Sequence, residues 1–422
     1  MHNILSTSNK MAPADIKHRR IYAERISPHI RKNIIKVITG HRRSGKSYLL
    51  LGIMEMIRTS DPDSNIIYLN KEFYEFDEIK DYHGLQAYFD EKFVPGLNNY
   101  FFIDEIQEIL NFEKCIRNVL AKNLADIYIS GSNADILSGE LATLLSGRYI
   151  EINVHPLSYP EYLDFYQLPD ATGSFYRYLQ YGGMPGLINT DQTDTPVTDY
   201  LKGILSTVLL KDVVARYKIR NVYFLENLAH YLAANTGTIV SAKNISDFLK
   251  SQKMAVSPNI TLDYLGYLCK AYIANRVLRM DVTVRKIFEV GEKYYFEDLG
   301  LRNTLSGYKP ADISMILENV VYNHLIIAGY EVFVGRLGAK EVDFVAGKGG
   351  ETLYVQVCYL LADEKVYERE FGNLLAIPDN YKKVVVSMDE FPAPNTYKGI
   401  EHKYIPGFCK ELVSSSNSSF KS

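Results

Sequence analysis

The stretch Ile34-Ile35-Lys36-Val37-Ile38-Thr39-Gly40-His41-Arg42-Arg43-Ser44-Gly45-Lys46-Ser47 decides the fold. A mostly apolar run meets a phosphate-binding loop, GHRRSGKS, and an amphipathic pattern follows from Tyr48 to Ile57. A strand, then such a loop, then a helix is the context in which this motif cradles phosphates. Gly40 and Gly45 let the backbone curl so that successive N–H groups point at an anion. The helix that starts here turns its positive end to the same anion. Lys46 is spaced to reach β- and γ-phosphates, and the Ser47 hydroxyl to hold Mg²⁺. The expected nucleotide contacts are Gly40, His41, Arg42, Arg43, Ser44, Gly45, Lys46, Ser47 and Tyr48. For Arg42 and Arg43 the plainer alternative is solvation at the loop tip. ATP and Mg²⁺ are the implied ligands.

The run Tyr100-Phe101-Phe102-Ile103-Asp104-Glu105 narrows the chemistry. Four apolar residues ending in an acidic pair predict a buried parallel strand whose C-terminal end faces the nucleotide. Asp104 is placed to hold Mg²⁺ through its water shell, and Glu105 to act as general base on water. Asp126-Ile127-Tyr128-Ile129 predicts a further strand, ending in Ser130-Gly131-Ser132-Asn133. An extra strand after the acidic pair suits the glutamate-using ATPases, where it inserts between the loop strand and the acidic strand. Ser132 or Asn133 is then a candidate to sense the γ-phosphate, and Asn133 is equally suited to cap a helix over Ala134 to Leu145. Arg148, opening the strand Ile150-Glu151-Ile152, is a candidate to stabilise charge on the transferring phosphate, in its own subunit or a neighbour's. The alternative is an arginine paired with a structural carboxylate.

With these residues in view, the chain resembles the prokaryotic AAA-like P-loop ATPases that carry a C-terminal domain of unknown function with a restriction-endonuclease-like fold. GHRRSGKS, YFFIDEIQ, YISGSNADIL, SGRYIEINVHPLSYPEYL and YLQYGGMPGLI carry the resemblance. It continues through KYYFEDLGLRN and ENVVYNHLIIAGYEV to EVDFVAGKGGETLYVQVCYLL. The resemblance implies an α/β P-loop sheet and an α+β C-terminal domain.

At 422 residues the chain suits two or three domains. Hydrophobic residues at 47% and charged residues at 23% are globular values. A formal net charge of -3 provides no global positive field for nucleic acid. The 4 cysteines are too scattered for a zinc knuckle or a disulfide scaffold, which fits a reducing, cytoplasmic setting. Met1 to Asn9 lacks the apolar core of a signal peptide, and no run approaches a bilayer span.

The expected organisation is a P-loop ATPase domain over 1–165, a helical and winged-helix-like domain over 166–305, a restriction-endonuclease-like domain over 306–412 and a disordered tail over 413–422. The lead-in before residue 32 is basic and is expected as a solvated helix packed beside the nucleotide, with nucleic-acid contact as the alternative. Phe224 to Asn235, Asn244 to Leu249 and Ile260 to Lys270 read as three helices. Strands at Val284–Phe288 and Tyr294–Phe296 would complete a winged helix-turn-helix. Its candidate reader, Asn259 to Leu265, is poor in Arg and Lys, so a lid or protein-contact role competes with groove reading.

In the C-terminal domain a helix over Ile313 to Gly329 precedes strands Glu331–Val334, Glu341–Val345, Thr352–Val357 and Lys383–Val386. By the resemblance, Glu318 and Asp343 match the metal-binding acids of nucleases with this fold. The next element should supply Glu-x-Lys and reads Gln356-Val357-Cys358 instead. An amide is a poor Mg²⁺ ligand and the thiol carries no positive charge, so cleavage is not expected. The resulting expectation is an Mg²⁺-dependent ATPase coupled to domains that bind double-stranded DNA or a partner, with a second copy of the chain as a candidate partner and no membrane. The alternatives are a nucleotide-gated protein-interaction switch without nucleic acid, and an ATP-regulated nuclease, which Gln356 and Cys358 disfavour.

Overall fold

The computed structural model describes residues 17–137, 147–191, 193–254, 256–288, 291–390 and 395–415. The chain divides into two compact units, Met1–Val154 and His155–Ser422.

In the first unit, β1 (Ile35–Thr39), β2 (Asn65–Asn70), β3 (Asn99–Asp104), β4 (Asp126–Ser130) and β5 (Tyr149–Asn153) form a parallel sheet in the order β2-β3-β4-β1-β5. The strand after the acidic pair does insert between β1 and β3. β1 and β3 are buried along their whole length, which is why they read as near-continuous apolar runs. Lys36 interrupts that run, and its ammonium pairs with Asp126 on the neighbouring strand. Helices Lys46–Ser60, Tyr82–Lys92 and Glu113–Ala121 pack with the sheet, and Leu85, Phe89, Ile116 and Val119 close the core. The expected helix from Ala134 is a short 3₁₀ turn, Ala134–Leu137; the rest of that expectation lies outside the described residues. The lead-in helix, Arg20–Ile26, packs through Ile21, Tyr22 and Ile26, which are all buried.

The second unit opens with helices Tyr159–Tyr166 and Thr172–Tyr181. Ser158 and Glu161 form a reciprocal capping box on the first, while Leu157, Tyr159 and Tyr162 enter a core shared with Phe175 and Leu317. That packing puts the unit boundary at Val154 rather than 165. Helix Asp194–Thr207 runs on as a π-helix, Val208–Ala215. Helices Val222–Ala234, Ala242–Ser251 and Pro258–Lys270 follow, the last two capped by Ser241 and Ser257. Then come β6 (Ala274–Val277), β7 (Arg279–Asp281) and β8 (Lys293–Phe296). β6 and β8 pair antiparallel as a separate two-stranded sheet. No strand forms at Val284–Phe288; Ile287 makes only an isolated bridge to Met280.

Helices Leu299–Ser306 and Ile313–Ile327 lead to β9 (Glu331–Leu337), β10 (Lys340–Lys348), β11 (Glu351–Val357), β12 (Lys382–Ser387), β13 (Thr396–Tyr397) and β14 (Ile400–Tyr404). With β7 these strands make a mixed sheet in the order β13-β14-β12-β11-β10-β9-β7. β9, β10 and β11 are antiparallel neighbours, and β12 joins β11 in parallel. The final helix, Ile405–Ser415, covers the first part of the expected tail and buries Val413; residues 416–422 lie outside the described residues.

The family-marking motifs of this unit meet at one polar knot. Asp298 accepts N–H bonds from Gly183 at 2.7 Å and Leu301 at 3.0 Å. Leu157 N–H donates to the Gly183 carbonyl at 2.7 Å, and a Cβ on Gly183 would lie 2.3 Å from the Leu157 carbonyl oxygen. His324 Nδ1 donates to the Val320 carbonyl, so Nε2 accepts from Tyr159 N–H at 2.9 Å. That pairing needs the neutral ring, and burial pushes the His324 pKa down to about 4.

Candidate nucleotide-binding site

The loop after β1 closes on itself. Gly40 has φ 136, and a Cβ there would lie 2.2 Å from the Val154 carbonyl oxygen. Gly45 has φ 98 and caps helix Lys46–Ser60 in the left-handed region. Both positions therefore require glycine. Lys46 is buried and donates to the carbonyls of Gly40 at 3.0 Å and His41 at 2.9 Å. These two bonds brace the loop around the ammonium. Arg19, also buried, donates to the Ser44 carbonyl at 3.1 Å and braces the loop from the lead-in segment.

The acids at the end of β3 lie at the same edge of the sheet. Asp104 is fully buried and accepts from Ser130 Oγ, from Asn70 Nδ2 at 3.2 Å and from the Ser47 hydroxyl. Burial holds its pKa above the usual carboxylate range, against the pull of the Ser130 and Ser47 bonds. Glu105 has φ 56, so the chain turns sharply at that residue. Its Oε2 accepts from Ser132 Oγ at 3.1 Å and from Gln107 Nε2. Burial alone would raise its pKa. The positive charges of Lys46 and Arg42, with the two hydrogen bonds, hold it below the ordinary value instead. One acid is thus biased toward the proton and its neighbour toward the anion.

The expected contact residues separate. Lys46, Ser47, Asp104, Glu105 and Ser132 come together through direct bonds or close charge. Arg42 is buried and pairs with Glu72 at 3.3 Å, so it is not a solvated loop tip. His41 is buried, with Nδ1 2.5 Å from the Arg42 carbonyl oxygen, while Arg43 is exposed. Tyr48 is 55% exposed on the first turn of the helix. Asn133 is buried and its amide oxygen accepts from Asp135 N–H at 2.8 Å, as a cap would.

Arg148 is misplaced for a role in its own subunit. β5 runs parallel to β1, with Ile35 opposite Tyr149 and Thr39 opposite Asn153. Arg148 therefore sits at the edge opposite the loop, about 20 Å away at 3.3 Å per residue. Asn70, Gln107 and Ser130 were not singled out from the sequence. Asn70 and Ser130 end their strands beside Asp104, so strand ends at one edge of a parallel sheet were the available signal.

The residues fit a nucleotide with its metal. Ser44 Oγ is buried in the loop without a hydrogen-bond partner. Ser47 and Asp104 bring hard oxygen donors together, as Mg²⁺ requires.

The second unit holds a further charged centre at the positions expected from the nuclease resemblance. Glu318 and Asp343 are both there, and Asp343 is buried with Oδ2 accepting from Val357 N–H at 2.7 Å. Burial, then the charge of Glu318, push the Asp343 pKa well up. Cys358 is buried and burial raises its pKa, so it supplies no charge. A positive charge reaches this centre from elsewhere in the chain instead, from Lys293 on β8.

Residues 32–163 match a family described as an AAA domain, and residues 172–312 match a domain of unknown function (DUF8612). An uncharacterized protein of Haemophilus influenzae is 35% identical over 394 residues, 92% of this chain and 97% of the relative. An uncharacterized protein of Methanocaldococcus jannaschii is 28% identical, over 85% of this chain and 83% of the relative. Among solved structures, a Walker-type ATPase of Pyrococcus abyssi shares the fold with a TM-score of 0.50 at 13% identity, covering 69% of this chain and 96% of that one. Among the described residues, no helix is long and apolar enough to cross a membrane.

Proposed function

The chain belongs to one family with its Haemophilus influenzae relative and carries an AAA domain over residues 32–163, and from that premise we propose that it is an Mg²⁺-dependent ATPase. The observation that carries this reading is the meeting of Lys46, Ser47, Asp104, Glu105 and Ser132 at one sheet edge. The loop amides and the Lys46 ammonium hold the β- and γ-phosphates. Ser47 and Asp104 hold Mg²⁺, which neutralises charge on the phosphates. Glu105, kept anionic, takes the proton of the attacking water. Ser132 reaches Glu105 directly and is the better placed γ-phosphate sensor; Asn133 is committed to the turn that follows. From the far edge Arg148 can act on a phosphate only in a neighbouring copy, within a homo-oligomer; the alternative is a structural carboxylate pair. A cytoplasmic setting fits the reading.

Within the second unit we read 166–305 as winged-helix-like and 306–412 as restriction-endonuclease-like and non-cleaving. The three helices and the β6–β8 pair support the first reading. The helix before the β9-β10-β11 antiparallel strands and parallel β12 supports the second. Helix Pro258–Lys270 exposes Ile260 and Leu262, 45% and 47%, where a groove reader needs Arg or Lys. That favours protein contact over base reading as the output of hydrolysis. ATP turnover measured with and without single- and double-stranded DNA separates the two. Unchanged turnover supports the protein-contact output, stimulation by either DNA favours a DNA-coupled ATPase, and no turnover in any arm refutes both.

A further inference from the structure

Lys293 lies on β8, outside the mixed sheet, yet its ammonium ends between acids from two other elements. It is 2.8 Å from Glu318 Oε1, on helix Ile313–Ile327, and 2.8 Å from Glu341 Oε1, on β10. Its side chain is 3% exposed. Tyr295, also on β8, donates its hydroxyl to the same Glu318 oxygen at 2.5 Å. Asp343 lies beside them, with one oxygen held by Val357 N–H, and the neighbouring Gln356 is neutral. A buried ammonium is tolerated only where opposite charges receive its N–H groups, and here two carboxylates do.

Converging carboxylate oxygens are also what a hard divalent cation requires. The two cations cannot share the place, because the ammonium already takes an oxygen of Glu318 and of Glu341 and would repel a second positive charge at contact distance. Among the described residues, no group of three acid, histidine or cysteine side chains has the arrangement to hold a metal ion. We propose that Lys293 is the built-in counter-ion of this acidic centre, excluding divalent metal from it and tying β8 to helix Ile313–Ile327 and β10. The centre is then metal-free by construction, and a metal site opens only when the ammonium is withdrawn. The proposal concerns neither ATP binding nor hydrolysis.

The test uses the full chain without nucleotide, titrated with Mn²⁺ and followed by the electron paramagnetic resonance signal of free Mn²⁺ and by thermal unfolding. Wild type and Glu318→Gln should give superimposable Mn²⁺ isotherms. Lys293→Met should gain one Mn²⁺ site at least about tenfold tighter than any in wild type, with Mn²⁺ raising its unfolding temperature. Adding Glu318→Gln to Lys293→Met should remove the gain. Where Lys293→Met does not fold, Lys293→Gln keeps a donor without the charge, and the same gain is required of it. Mn²⁺ binding by wild type that is lost in Glu318→Gln overturns the proposal. So does a folded Lys293 variant with no added site.

Discussion

Asp104 and Glu105 are adjacent, yet their environments drive them apart. Asp104 continues β3 into the core and meets Ser47, Asn70 and Ser130. The positive φ of Glu105 redirects the next side chain toward Lys46, Arg42, Ser132 and Gln107. Two donors on one Glu105 oxygen stabilise the anion and weaken it as a base. Removing one should therefore raise its pKa. In Gln107→Ala, the acid limb of the pH profile of kcat should move to higher pH relative to wild type, and an unmoved limb would mean that Gln107 does not tune the base. The sequence made Lys46, Ser47, Asp104 and Glu105 legible because their chemistry is tied to fixed spacings at strand ends. Gln107 and Asn70 were hidden because their roles depend on a tight turn and on the register that sets Asn70 opposite Asp104. Lys293 was hidden for a stronger reason: its partners Glu318 and Glu341 belong to other elements, and no local spacing links them.

At the scale of elements, parallel pairing fixes which residues share the nucleotide edge. It brings the ends of β2, β3 and β4 beside the loop after β1, and it carries Arg148 to the far edge. Buried strands announced themselves by apolar runs, whereas the expected strand at Val284–Phe288 failed because four of its five residues, Val284 to Ile287, are exposed. The short β13 and β14, and the helix after them, carried no comparable signal. The knot around Asp298 joins the segments following Leu157, Tyr181 and Glu297, and it has a pH signature. Burial raises the Asp298 pKa to about 6, against the bonds from Gly183, Leu301 and Gly300. A carboxyl raised in the folded state contributes stability that is fully present below its unfolded pKa, about 3.8, and is lost as pH rises through about 6. The stability of wild type relative to Asp298→Asn should fall by about 2 kcal/mol between pH 4 and 7. Urea unfolding at several pH values checks this, and a difference constant with pH would contradict it.

Over the whole molecule, each compact unit holds a cluster of acids with a different cation strategy. The first gathers a lysine, a serine hydroxyl and two acids beside the phosphate-binding loop. The second closes its acids around its own lysine. Chemistry should therefore reside in Met1–Val154. The most direct test measures ATP affinity and ATP turnover side by side in wild type, Lys46→Ala and Glu105→Gln, all in Mg²⁺. Lys46→Ala should lose measurable ATP binding. Glu105→Gln should bind ATP as wild type does and turn it over about 10²- to 10⁴-fold more slowly. ATP binding unchanged in Lys46→Ala, or turnover at the wild-type rate in Glu105→Gln, would contradict the assignment of the loop and of its base.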